Sequence, residues 1–225
     1  MQRMKVIGMT LMAVLVVGVM VAVPAYAAPE FLPGTAGTKF ASSKLNSAEA
    51  VFHVAGIATT IKCKKAPLGP GGGELTNKKL GTVDLLLLEC KSSALPTCTG
   101  LTDTTAGSIL VTGTWHIRGL LPKGSGVVQI LLLNELHFEC GTVLVTVRGC
   151  AVAKIEPVGV KTMKFTLNYK KGAGEESEWH AVDTESGEGM EECVMQAEVN
   201  GSAFATAWEV AEGEVVSAAE ETLDE

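Results

Sequence analysis

The sequence predicts an all-β fold, a single β-sandwich or barrel-like domain of roughly ten strands stapled by disulfides. Three observations carry that reading. Short runs rich in Val, Ile, Leu, Thr and aromatic residues recur roughly every 8–12 residues with Gly-bearing turns between them. Asn200-Gly201, in "AEVNGSAFA", suits a type I′ hairpin turn, in which both central residues take positive φ. Six cysteines, an even number, all follow an N-terminal segment with the features of an export signal.

In chain order, residues 1–27 read as a secretory signal peptide. Arg3 and Lys5 open it, an apolar run follows, Pro24 breaks that run, and Ala25-Tyr26-Ala27 supplies a small-x-small cleavage site. Val6–Val23 sits near the lower limit for spanning a bilayer, but the coincidence of Pro24 with the cleavage site favours removal. Residues 28–49 are small and polar, a lead-in expected to carry little structure of its own. Within them, Leu32-Pro33-Gly34-Thr35-Ala36-Gly37 resembles a wall-sorting signal. The required apolar segment precedes the motif instead of following it, so Pro33-Gly34 reads as an ordinary loop.

Residues 50–212 hold the β domain. Its runs include "AVFHVAG", "TVDLLLLEC", "SILVTGTWHIRG", "VVQILLL", "LHFEC", "TVLVTV" and "AFATAWEV". "DLLLLE" and "QILLLN" do not alternate, which places them as central strands covered on both faces. "APLGPGGGELTNKKLG" (66–81) reads as a long Gly/Pro loop, and 170–192 as an acidic one. Residues 213–225 form an acidic C-terminal tail, ambiguous between a last strand and a helical or disordered end.

Removing residues 1–27 leaves 225 − 27 = 198 residues, enough for one domain with its own core, and moves the formal charge from −7 to −7 − 2 = −9. A surface of that sign repels nucleic acid and anionic membranes, so neither is expected as a partner. The localisation expected is extracellular.

The cysteines, Cys63, Cys90, Cys98, Cys140, Cys150 and Cys193, allow fifteen connectivities. Zinc prefers ligands at C-x₂₋₄-C spacing, which is absent, so three disulfides are expected. The pairing expected is Cys90–Cys98 across the turn at Pro96 and Cys63–Cys140 at two strand ends, with Cys150–Cys193 following by elimination. The rival is Cys140–Cys150. A tight turn at Gly141-Thr142 opposes it by setting Cys140 across from Val143.

No chemistry-bearing motif emerges. Each of the four histidines neighbours an aromatic: Phe52-His53, Trp115-His116, His137-Phe138 and Trp179-His180. Alternation puts His116 with Thr114 and Arg118, and His137 with Glu135 and Glu139, on polar faces, where no metal cluster is expected. Ser108 and Ser125 lack a G-x-S-x-G elbow. Glu89, Glu135 and Glu139 would make an acid–base pair only in a cleft, and a glycosidase cleft is usually lined with aromatics. This chain has only eleven Phe, Trp and Tyr. "GPGGGE" lacks phosphate-loop spacing. The acidic stretch 175–192 holds eight carboxylates and permits weak calcium binding, although its ligand spacing fails the EF-hand pattern and a solvated loop is the default.

"TTIKCKK", "GTVDLLLLECKS", "PTCTG", "GSILVTGTWHIRGLL", "LHFEC" and "VRGCAVAKI" resemble, in order, a group of exported, β-rich, cysteine-containing proteins of unknown function from high-GC soil actinobacteria. The likeness covers roughly residues 55–160. It implies export and a β fold, and carries no catalytic residue or cofactor. Cys150 itself departs from the small residue that the pattern has after the Gly of "VRGC", which implies that it is an addition paired with the other late cysteine, Cys193. The function expected is a non-catalytic extracellular structural or interaction module. The alternatives are a binding module for a small ligand or glycan and, behind it, a hydrolase of unrecognised type. A sizeable internal pocket would favour the binding module, whereas a filled core would leave only surface-based roles.

Overall fold

The structure is a computed structural model that describes residues 28–55, 60–94, 97–120, 124–170, 181–182, 190–191 and 193–225. The fold is all-β and sandwich-like. Sixteen strands are present among the described residues: β1 (Glu30–Leu32), β2 (Phe40–Leu45), β3 (Ala50–Val54), β4 (Thr60–Cys63), β5 (Leu68–Asn77), β6 (Leu80–Leu87), β7 (Lys91–Ser92) and β8 (Cys98–Gly100). Then come β9 (Ile109–Gly119), β10 (Val127–Cys140), β11 (Val143–Glu156), β12 (Lys161–Tyr169), β13 (Ala181–Val182), β14 (Met190–Glu191), β15 (Met195–Val199) and β16 (Ala205–Asp224).

Fourteen of these form one antiparallel sheet whose main path runs β5-β6-β9-β10-β11-β12-β16-β3-β4-β7. The sheet folds over on itself, so that β5 returns towards β2. That approach makes a single isolated bridge, Lys39 to Glu74, and not a ladder, so the sheet is not a closed barrel. The long strands β10, β11 and β16 bind different partners at their two ends, and the interior divides accordingly. One cluster packs Phe31, Leu75, Trp115, Ile117, Ile155 and Phe165. A second gathers Ile61, Phe138, Val147, Met195 and four half-cystines, and a smaller third packs Leu120, Val128, Ile130, Cys150 and Val152.

Two stretches differ from the sequence reading, and a third, the acidic C-terminal tail, takes the strand form that the sequence leaves open. Residues 28–49 contain two strands, because Phe31 and Phe40 supply what a strand needs to dock. Phe31 is buried with edge contacts to Trp115 (6.0 Å) and Phe165 (5.3 Å), and Phe40 stacks on Trp115 at 6.0 Å. After Leu32 the chain bends at Pro33 and is held by a buried carboxylate: Gly34 N–H donates to Glu221 Oε2 at 2.8 Å.

The Gly/Pro run at 66–81 is mostly strand β5, paired to β6 with register shifts that absorb the irregular residues. Its glycines reflect close approach. A Cβ on Gly73 would stand 2.6 Å from the Phe40 ring and 3.0 Å from Thr82 O. The acidic tail is the second half of β16, flanked by β12 on one side and by β1 and β2 on the other. Paired on both edges, its backbone needs no apolar alternation to hold a strand. Ser217, Glu221 and Leu223 on it are fully buried.

The expected turns and central strands fare better. Cys140 faces Val143 across Gly141-Thr142. Asn200 and Gly201 have φ of 51° and 75°, both positive as the turn demands. Val127 to Leu131 in β10 are buried at every position, whereas Leu132 is 44% exposed, and β6 is mostly half-buried. "QILLLN" is thus doubly covered only in its first half.

Candidate functional site: an inner cavity beside a buried carboxyl

The cysteines at one end of the molecule frame the site. The pairs are Cys63–Cys90, Cys98–Cys140 and Cys150–Cys193. The first two replace the expected Cys90–Cys98 and Cys63–Cys140. Beyond Cys63 the chain runs against the end of β6, with Lys64 N–H donating to Leu88 O at 2.9 Å, which sets Cys63 beside Cys90. Cys98 stands directly opposite Cys140 in the β8–β10 ladder. All four lie in one buried cluster, and Cys98 N–H donates to Cys90 O, so Cys90 and Cys98 are neighbours whose sulfurs turn to other sulfurs.

Between this end and the opposite wall lies a cavity of about 90 Å³. Its wall is almost wholly apolar, built from Phe52, Leu87, Val111, Leu133, Phe138 and their neighbours. Nine strands, β3, β4, β6, β9, β10, β11, β12, β15 and β16, contribute inward residues to it, and these leave the space incompletely filled. At one end stand the carboxyl of Glu209 and the ring of Tyr169.

Glu209 points inward because β16 alternates: Ala207 and Ala211, two residues to either side, are both members of the inner cluster. Trp208 faces the other way and stacks on His53, with ring centroids 5.1 Å apart and planes 8° from parallel. No hydrogen bond or ion pair holds the Glu209 carboxylate among the described residues, and burial pushes its pKa from 4.5 up to about 7. Glu209 keeps some accessible surface, and it lines both the cavity and a second opening, so that surface is directed at the voids. Burial, and then the charge of Glu209, raise the Tyr169 phenol well above its ordinary value. The Tyr169 hydroxyl donates a long 3.5 Å bond to Gln129 Oε1.

The second opening is a slot of about 20 Å³, room for a single water, lined by Cys150, Cys193, Trp208, Tyr169 and Glu209. It arises from an interrupted lane in the sheet. Both β12 and β15 lie between β11 and β16, end to end. On β16 the ladder runs with β12 down to Ala211–Tyr169 and resumes with β15 at Ala207–Met195, skipping Trp208–Val210. On β11 it skips the corresponding stretch between Gly149–Met195 and Lys154–Asn168. Glu209 sits at the middle of the gap.

The sequence-predicted candidates are scattered. His137 lies on the exposed face, its Nδ1 3.2 Å from Thr146 Oγ1 and its Nε2 3.1 Å from Glu135. His116 is buried at 8% exposure instead of lying on a solvated face. On the same face of β9, Thr114 is exposed and Arg118 half-buried, so the cover is local to His116. His180 and most of the 175–192 acidic stretch lie outside the described residues. Ser108 Oγ donates to Thr105 O at 2.6 Å and Ser125 Oγ to Leu120 O at 3.3 Å, which are structural roles. Glu89 pairs with Lys65 at 2.5 Å, and its hydrogen bond to that lysine lowers its pKa. Glu139 is exposed on β10. No three His, Cys, Asp or Glu converge as a metal group among the described residues.

Glu209 escaped the sequence reading because both faces of "AFATAWEV" are apolar or small, and alternation then gives no sign of which face is inner. The spacing Ala205, Ala207, Glu209, Ala211 was the available signal: one acid in a row of small residues. Comparison with known protein families, curated proteins and solved structures finds no match to this chain.

Proposed function

We propose that this chain is an exported, non-catalytic β module that binds a small, largely apolar ligand in the cavity beside Glu209. The cavity carries the reading. Ligand sites are concave and mostly apolar with a few placed polar groups, and this interior offers that combination where a purely structural module would be packed solid. With about 90 Å³, it is smaller than the engineered cavity of ~150 Å³ that takes benzene, which points to a ligand body of about four carbons. Export is supported by the signal-like features of residues 1–27 and by the six cysteines forming three disulfides. No helix among the described residues is long and apolar enough to cross a membrane.

Methyl NMR of the oxidised protein titrated with isobutanol tests the binding reading. Saturable shifts are expected at Leu87, Val111 and Leu133, and Val111→Phe, which fills the space, should abolish them. Unsaturable shifts scattered over the surface would sink the reading. Export is tested by sequencing the secreted protein, whose first residue should be Ala28.

A further inference from the structure

We propose that Glu209 is the anchor for a protonated amine: the cavity takes a short aliphatic amine, its ammonium at the Glu209 carboxyl and its hydrocarbon body among the apolar side chains. This rests on the cavity being a ligand site and adds the class of ligand.

The carboxyl group is the observation that selects the class. Glu209, half-buried, lines a mostly apolar and partly open space, with no ion pair or hydrogen bond of its own among the described residues. A buried charge of this kind is expensive unless a partner of opposite sign completes it. An anionic ligand would be repelled. An alcohol could donate one hydrogen bond but would leave the charge uncompensated. A bare metal ion would find only one carboxylate and one phenol in an otherwise hydrocarbon wall, too few oxygens for calcium or magnesium. An ammonium group supplies the charge together with three donors. Glu209 can take at least one of these through its carboxylate oxygens.

The surroundings make the titration of Glu209 legible. Among the described residues, Tyr169 on β12 is the only other titratable group lining the cavity and slot, apart from cysteines locked in disulfides. Phe52 on β3, Ala151 and Val152 on β11 and Met195 on β15 carry no charge. Burial holds the Glu209 pKa at about 7, so an amine should bind better as pH rises through neutrality, while the amine itself stays protonated to beyond pH ~9.

The experiment compares isobutylamine with isobutanol, two probes of nearly one shape, by methyl NMR titration of the oxidised protein at pH 5.5 and 8.5. At pH 8.5 the amine should bind about tenfold or more tighter than the alcohol, the effect of one charge-assisted contact. At pH 5.5 that preference should shrink towards parity. Glu209→Gln, nearly isosteric, should erase the preference at pH 8.5. Equal affinities at pH 8.5, or a preference that survives Glu209→Gln, would overturn the amine assignment and leave the apolar-ligand reading standing. If neither probe saturates, both fall. The pH comparison on the unaltered protein decides the matter even if the variant folds poorly.

Discussion

Glu209→Gln should make the protein more stable at neutral pH and flatten its dependence on pH. In the folded protein Glu209 holds its proton up to about pH 7, against 4.5 for the unburied group. Between those two values the native state binds a proton that the unfolded chain has released. Stability is therefore full below pH 4.5 and is lost as pH rises to about 7, where both states are ionised. At ~1.36 kcal/mol per pH unit the interval from 4.5 to 7 corresponds to about 3 kcal/mol. That is a large share of the 5–15 kcal/mol that holds a typical domain together. Glutamine keeps the shape and cannot ionise, so the variant should lack this loss. Urea unfolding of both proteins at pH 4.5, 6 and 8, disulfides intact, provides the assay. The difference between them should widen by about 3 kcal/mol across the series. Any other group that titrates in this range contributes to both proteins alike, and taking the difference cancels it. Curves that run parallel from pH 4.5 to 8 would refute the claim that the Glu209 carboxyl is buried without a partner.

Gly81→Ala should destabilise by about 3 kcal/mol or more in thermal unfolding, because a Cβ there overlaps the ring of the buried Trp115 and stands 2.5 Å from Glu74 O. Glu221→Ala should cost about 2 kcal/mol and speed amide exchange at Gly34 and along β1, since it removes the acceptor of the Gly34 N–H. Converting Cys98 and Cys140 together to alanine should cost ~4 kcal/mol by the loop-closure argument for partners 42 residues apart, and non-reducing peptide mapping of the unaltered protein should recover Cys63–Cys90 and Cys98–Cys140.

Much of the fold was legible in the chain because its signals are local. Strand-length apolar runs, the Gly141-Thr142 and Asn200-Gly201 turns and the inward Phe138 all follow from spacing and turn chemistry. What escaped depends on neighbours distant in sequence. β5 looks like a loop until Phe40 and β6 are placed against its glycines. The end of β16 looks like a tail until β1, β2 and β12 flank it. The half-cystines Cys63, Cys90, Cys98 and Cys140 could be grouped at strand ends, but choosing among partners only a few ångströms apart requires the β8–β10 register. Glu209 was hidden for a related reason, since a lone acid among alanines becomes unusual only once the surrounding core is known.

The interrupted lane between β11 and β16 also says something about how such a chain could have been assembled. β12 and β15 run in the same direction along one line, and the registers leave room for about three residues between Tyr169 and Met195 at the usual strand rise. The chain spends residues 170 to 194 there, 194 − 170 + 1 = 25 of them. The stretch therefore has the topology of an insertion into what would otherwise be one continuous strand. Because its two ends are fixed near each other by the sheet, its length is nearly free to vary, as loop-closure costs grow only slowly with length. A splice that joins Tyr169 to Met195 through three residues would restore the missing rungs and remove the Cys150–Cys193 staple. It would also seal the opening beside Glu209. The gap in the sheet is thus where this architecture can change its length, its covering and its access to the interior without disturbing the strands on either side.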